Sequence, residues 1–399
     1  MRVAVLTREF PPDTYGGAGV HVAELTAALD RLVSVEVRCF GEPRSSELVA
    51  GAYKPWPVLA SARPESGAFG ALSVDLAMAS ALGSGAAGPP AICHSHTWYA
   101  NMAGHLSKLT WDIPHVVTTH SLEPLRPWKV EQLGGGYALS SWCERTALEA
   151  ADAVIAVSDA MRADVLACYP AVEPTRVEVI HNGIDTDRWS PDPDTDVLER
   201  YGLDPSEPLV VFVGRVTRQK GLSHLLAAAP LMDRRAQLVC CAGAADTVEL
   251  AAEVDQLASA AREAGVRLTW IESQLPQREV AQLLTHAGVF VCPSVYEPFG
   301  LVNLEAMACG TAVVASAVGG IPEVVDDGTT GLLVPLEMND AAAAPSFAAG
   351  LAGAINALVG DPARAERMGE AGRARAVERF SWSAVAERTA ALYRRLASV

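Results

Sequence analysis

Short runs of apolar, β-branched residues recur along this chain, separated by longer stretches whose apolar positions fall three and four apart. Residues 3–6, 34–39, 91–94, 114–119, 153–157 and 177–180 read as strands in the first half, with helical patterns between them. A strand that returns parallel to its neighbour needs a crossover, so this alternation predicts a parallel sheet layered by helices. The pattern pauses at "RWSPDPDTDVLERYGLDPSEP", where prolines and aspartates interrupt it, and resumes at "LVVFVGR". Residues 209–213, 237–242, 267–271, 288–292, 311–316 and 331–334 then repeat the layout.

The expected organisation is α/β: two Rossmann-like, doubly wound domains facing a central cleft. Residues 1–187 form the first domain, 188–208 a linker, 209–380 the second domain and 381–399 an amphipathic helix. In that helix Trp382, Val385, Ala386, Thr389, Leu392, Tyr393 and Leu396 share one face, which must find an apolar partner in its own domain or by crossing back to the first.

Composition narrows the partners. At 399 residues and 50% hydrophobic, the chain can bury two cores. A formal net charge of -16 provides no field for nucleic acid or an anionic bilayer, so a phosphate-bearing ligand must be held by a local basic site. The eight cysteines lack paired C-x-x-C spacing and read as reduced core thiols. "MRVAVLTREFPP" is unlike a secretory signal, and no apolar run of about 18 residues stands out, so a cytoplasmic protein is expected.

In open α/β sheets ligands gather at the carboxyl ends of strands, and the chemistry-bearing residues fall there in both halves. After the first strand, "REFPPDTYGGAGVHVAEL" sets Glu9, Tyr15, Gly16 and Gly17 ahead of a helix, a candidate phosphate cradle. Its spacing is not the dinucleotide fingerprint, and it has no P-loop lysine. "GGIPEVV" is a second glycine turn of the same kind. "VGRVTRQKG" puts Arg215 and Lys220 beyond the first strand of the second domain, a pair suited to neutralising a diphosphate. In "SVYEPFGLVNLEAMACG", Glu297 precedes a helix and Glu305 lies inside it, with backbone N–H groups near Phe299, Gly300, Leu301 and Val302. Carboxylates beside a phosphate site are poor phosphate ligands but good acceptors for hydroxyls, so the ligand should carry both phosphates and sugars. "CHSHTWYAN" and "HVVTTH" supply His94, His96 and His120. His94 reads as structural, His96 and His120 as the floor of a sugar site, and zinc is not expected because H-x-H lacks an evident third ligand. "SLEPLRPWK" adds Arg126 and Lys129, candidates for an acceptor phosphate.

Together, "YGGAG", "GRVTRQKG", "EPFGLVNLEAMACGTAVVAS" and "GGIPEVV" resemble the retaining GT-B glycosyltransferases of family 4 and the related glycogen synthases. "TREFPPDTYGGAGVHVAEL", "HSHTWYA", "HSLEPLRPWKVEQLGGGY" and "NGIDTDRW" are similar to the actinobacterial glycogen synthase branch, the α-maltose-1-phosphate synthases. The resemblance implies that Glu297 binds donor-sugar hydroxyls, Glu305 the ribose, Arg215 and Lys220 the diphosphate, and Gly17 the same group from the first domain. His120 then stands by the anomeric carbon. It implies a nucleotide-sugar donor such as ADP-glucose, no metal or other cofactor, and retaining transfer by front-face attack. Many bacterial glycogen synthases have lysine before the paired glycines where this chain has Tyr15. That departure turns the expectation from glucan elongation towards glucose 1-phosphate, with Glu9, Tyr15, His96, Arg126 and Lys129 on the acceptor. Small-molecule partners and a homodimer complete the expectation. A lipid-linked mannosyltransferase, a nucleotide-sugar epimerase and a dinucleotide oxidoreductase are the rivals; the acidic charge opposes the first, acceptor dependence separates the second, and the missing fingerprint opposes the third.

Overall fold

The computed structural model describes residues 1–14, 16–59, 66–84, 88–336 and 343–398; Tyr15, called for the acceptor, lies outside them. The chain divides into two compact units, Met1–Gly183 with Trp382–Val399, and Ile184–Ser381.

Among the described residues, the first unit holds a seven-stranded parallel sheet in the order β3-β2-β1-β4-β5-β6-β7. The strands are β1 (Arg2–Thr7), β2 (Ser34–Phe40), β3 (Val49–Tyr53), β4 (Ile92–His96), β5 (His115–Thr119), β6 (Ala153–Ala156) and β7 (Val177–Val179). Its helices are α1 (Gly17–Leu29), α2 (Ser66–Gly83), α3 (Trp98–Trp111), α4 (Lys129–Leu133), α5 (Gly136–Ala150) and α6 (Asp159–Cys168). Side chains alternate across β1: Val3 and Val5 join one buried cluster with Leu25 and Leu29 of α1, whereas Ala4 and Leu6 join another with Val74 and Met78 of α2. A sheet covered on both faces explains why its strands read as unbroken apolar runs rather than as alternation.

Helix α2 is the one described helix long and apolar enough to span a membrane, and half of it is buried inside the unit. Val74, Met78 and Leu82 pack with Ala100 and Ala103 of α3. Serines and a single aspartate, Asp75, interrupt α2, so it passes on length and mean hydropathy without containing an unbroken apolar run.

The second unit contains a six-stranded parallel sheet, β10-β9-β8-β11-β12-β13. These are β8 (Leu209–Val213), β9 (Gln237–Cys241), β10 (Arg267–Ile271), β11 (Val289–Cys292), β12 (Val313–Ser316) and β13 (Gly331–Val334). Around it stand α7 (Asp196–Arg200), α8 (Leu222–Ala228), α9 (Val248–Glu263), α10 (Gln277–His286), α11 (Leu301–Ala308), α12 (Ile321–Val324), α13 (Ala343–Val359) and α14 (Pro362–Arg379). Val210, Phe212, Leu238 and Val291 form a core with Leu225 of α8, Val254 of α9 and Leu351 of α13.

Residues 188–208, expected as a linker, belong to the second unit. Val197 and Leu198 are buried, and Val197 N–H and the Asp196 carboxylate bind the Gln282 amide of α10. The prolines and aspartates that interrupt the apolar pattern thus lead into a short docked helix.

The final helix, α15 (Trp382–Ala397), packs in the first unit, so the chain crosses back. Trp382, Val385, Ala386, Leu392 and Tyr393 enter the cluster that holds Val5 and Leu25. Burying an apolar side chain the size of Val385 or Leu392 contributes roughly 1.5–3 kcal/mol. Tyr393 also places its hydroxyl 2.6 Å from His94 Nδ1. All eight cysteines are free, most of them buried.

Candidate active site

In each sheet the strand order reverses direction between two neighbours: β1 and β4 in the first unit, β8 and β11 in the second. The crevice beyond the carboxyl ends at such a switch point is where open α/β sheets bind ligands. Among the called residues, Glu9, Gly16 and Gly17 follow β1, His96 ends β4, and Arg215, Lys220, Glu297 and residues 299–302 follow β8 or β11, whereas His120, Arg126 and Lys129 follow β5.

In the second unit Lys220 arrives from β8 and Glu297 from β11, and Lys220 Nζ donates to Glu297 Oε2 at 2.7 Å. Two glycines let the loops meet. Gly221 has φ of +65°, and a Cβ there would lie 2.0 Å from the Pro293 carbonyl oxygen. Gly319, with φ of +52°, would set a Cβ 2.1 Å from the Glu297 carbonyl oxygen, to which Gly320 N–H donates at 2.9 Å. Val295 N–H donates to the Gln219 carbonyl, tying one loop to the other. The "GGIPEVV" turn therefore braces the Glu297 backbone; the helix it opens, α12, has only four residues.

Burial desolvates the Lys220 ammonium, but the Glu297 carboxylate beside it more than offsets that, and its pKa ends above the usual lysine value. Arg215 opposes Lys220 through its own charge, so two cations share the end of β8. Glu297 is 7% exposed and also accepts from Ser294 Oγ at 3.1 Å. Glu305, one helical turn inside α11, has its carboxyl pushed up to about 7 by burial, with Lys220 pulling the other way. Lys220 thus stands between the two glutamates electrostatically.

Gly300 caps α11 with φ of +101°. Leu301 and Val302 form the first helical turn. Phe299 is 2% exposed, its ring against Phe380, so anything it offers a ligand comes from its backbone. Sequence reasoning passed over Ser294 and Asn303. Asn303 is buried with neither amide atom partnered, and it faces the place a Gly300 Cβ would occupy. Its only sequence signal was its place in "EPFGLVN".

In the first unit Gly16 N–H donates to Glu9 Oε2 at 2.8 Å. Gly19 is required for this approach, since a Cβ there would fall 2.8 Å from the same oxygen. The cradle called at Gly16 and Gly17 therefore already carries an internal carboxylate at the start of α1, where the helix dipole favours an anion. Across the switch point His96 Nδ1 lies 3.0 Å from His120 Nε2. His96 is fully buried and touches His120 rather than solvent, which turns the expected acceptor contact into support for a half-buried His120. Burial, with neighbouring imidazoles adding to it, holds His94, His96 and His120 well below the ordinary histidine pKa. These rings are neutral hydrogen-bonding groups at neutral pH.

Arg126 pairs with the fully buried Glu123 carboxylate, which also accepts from Ser140 Oγ at 2.7 Å. Lys129 opens α4 on the same loop. The two residues called for an acceptor phosphate lie three positions apart, with Arg126 held by Glu123.

Two nucleotide-binding-type sheets, with cations and carboxylates at the switch point of the second, define the GT-B architecture. Residues 15–188 match Glycosyltransferase Family 4 and residues 194–375 match Glycosyl transferases group 1; the chain belongs to this glycosyltransferase family and is an enzyme of that class. It is 54% identical over 401 residues, covering all of both chains, to alpha-maltose-1-phosphate synthase of Mycolicibacterium smegmatis. It is 32% identical to glycogen synthase of Mycobacterium tuberculosis, covering 98% of this chain and 94% of that one. Among solved structures, sucrose-phosphate synthase from Thermosynechococcus elongatus superimposes with a TM-score of 0.82 at 28% identity, covering 100% of this chain and 99% of that one.

Proposed function

We propose that this enzyme transfers glucose from ADP-glucose to α-glucose 1-phosphate, with retention, to form α-maltose 1-phosphate. The observation that carries it is the end-to-end identity with alpha-maltose-1-phosphate synthase, 54% against 32% for glycogen synthase.

Arg215 and Lys220 hold the donor diphosphate, Glu297 accepts from the glucosyl hydroxyls and Glu305 from the ribose. The bond between the anomeric carbon and the diphosphate oxygen breaks as the acceptor 4-hydroxyl oxygen attacks the same face. That hydroxyl's proton passes to the departing diphosphate oxygen. Negative charge grows on the leaving group, so fixed cations there stabilise the transition state more than the ground state. In the first unit His120 presents a neutral imidazole to the sugar, and Arg126 and Lys129 receive the acceptor phosphate. No metal or other cofactor enters this scheme. The reading also takes the enzyme to be cytoplasmic and homodimeric, the latter checked by light scattering of the purified chain.

The test is an assay in chelator-treated buffer with ADP-glucose, offering glucose 1-phosphate or glycogen, with products identified by mass spectrometry and NMR. A phosphorylated α-1,4 disaccharide is the expected product. Growth of glycogen with no reaction on glucose 1-phosphate would make the enzyme a glucan-elongating synthase instead.

A further inference from the structure

The fold gathers three histidines from separate stretches of the chain, only one of them, His96, from the H-x-H pair. Helix α1 brings His21 beside His96 and His120, with ring centroids 5.4 Å and 4.7 Å away. One ring nitrogen from each of the three lies within 4.8 Å of one from each of the others. His21 is 2% exposed, and its Nδ1 stands 2.7 Å from Asn182 Oδ1. An amide oxygen only accepts, so Nδ1 carries the proton and Nε2 of the neutral ring carries a lone pair. That Nε2 is buried and has no hydrogen-bond partner. Buried polar atoms without partners are uncommon and call for an explanation.

The arrangement fits a metal ligand. A ligating histidine commonly gives its other N–H to a carbonyl or carboxylate, as His21 gives its own to Asn182. His96 Nδ1 and His120 Nε2 are 3.0 Å apart, near the about 3.3 Å between two nitrogens bound to one tetrahedral zinc. His94 is excluded, because Tyr393 and Thr118 occupy both its nitrogens. His120, half-buried, is the member of the trio that reaches the surface, which leaves a route for an ion and an outer position for water.

We infer that His21, His96 and His120 bind a divalent transition metal of the zinc type, with imidazole donors and one open coordination position. Imidazole suits zinc, cobalt, nickel and copper rather than magnesium or calcium. The proton now shared between His96 and His120 moves to the other nitrogen of the ring that holds it, so three neutral rings coordinate without net proton release. Because the metal takes a nitrogen of His120, its binding inhibits transfer. This second consequence rests on the proposed function; the binding does not.

The two are therefore read separately. The full chain, stripped with chelator, is titrated with Co2+ while visible absorption is recorded, and Zn2+ is then added to displace it. One saturable Co2+ per chain with the strong bands of four-coordinate cobalt is expected. Asn182→Ala keeps all three rings and should weaken binding about 10- to 100-fold, the usual effect of losing a supporting partner. His21→Phe and His21→Gln, each checked by thermal melting, should weaken it further. Absence of a saturable cobalt spectrum in the wild type overturns the inference. So does wild-type affinity in Asn182→Ala together with whichever His21 variant folds, which would place the ion elsewhere. Cobalt binding without loss of transfer would retain the metal site and count against the role given to His120.

Discussion

The two switch points use opposite electrostatics within one architecture. In the second unit the strand ends carry full charges: Lys220 bonded to Glu297, Arg215 nearby and Glu305 behind. In the first unit the equivalent position carries imidazoles that burial keeps neutral. The difference matches the chemistry each would meet. A departing diphosphate needs counter-charge, and a desolvated cation acts on it strongly. A sugar carbon and its hydroxyls need oriented donors and acceptors, and a buried ionised histidine there would add desolvation cost without a charge to oppose.

Three experiments bear on this contrast. Removing the cation should do the most: Lys220→Ala is expected to lower kcat/KM about 10²- to 10³-fold. It also leaves Glu297 buried beside only Ser294, so the melting temperature should fall. Near wild-type turnover in the folded variant would remove the charged site from the mechanism. His120→Ala should cost less, about 10²-fold in kcat, with a folded chain by circular dichroism. A loss larger than that of Lys220→Ala would reverse the assigned importance of the two strand ends.

The smallest effect concerns Glu305 and pH. Its carboxyl rises from 4.5 to about 7 in the folded unit, so the folded state holds that proton more tightly than the unfolded chain. The stability this group contributes is therefore complete below pH 4.5 and lost as pH rises to about 7. Glu305→Gln should remove that decline, so its melting temperature gains on the wild type across the window by roughly 2–4 °C and the difference stays constant above it. Parallel melting curves for the two proteins through the window would refute the buried, protonated Glu305.

Much of the fold was legible because its signals are local. A strand covered on both faces leaves a continuous apolar run whatever it pairs with, which is why β8 was read to the residue; the edge strands β10 and β13, partly exposed, were also read to the residue. β3 was missed because it is a half-buried edge strand containing glycine, with a register irregularity opposite Val37 and Arg38. The linker was misjudged because a stretch rich in proline and aspartate can lead into a docked helix as readily as form a tether, and only burial of Val197 and Leu198 separates the two.

The sequence by itself determined the repeated strand and helix pattern, the glycine turns, and the identity of the cations, carboxylates and imidazoles at the strand ends. Each is a property of a few neighbouring residues. The tertiary structure decided which of them meet: Lys220 with Glu297 across 77 positions, His21 with Asn182 across 161, and His94 with Tyr393 of the returning helix across 299. Those pairings follow from strand order, which puts β8 beside β11 and β1 beside β4 although other strands intervene in the chain. Strand order is set by how helices cover both faces of a twisted sheet, a property of the packed whole that no short stretch contains.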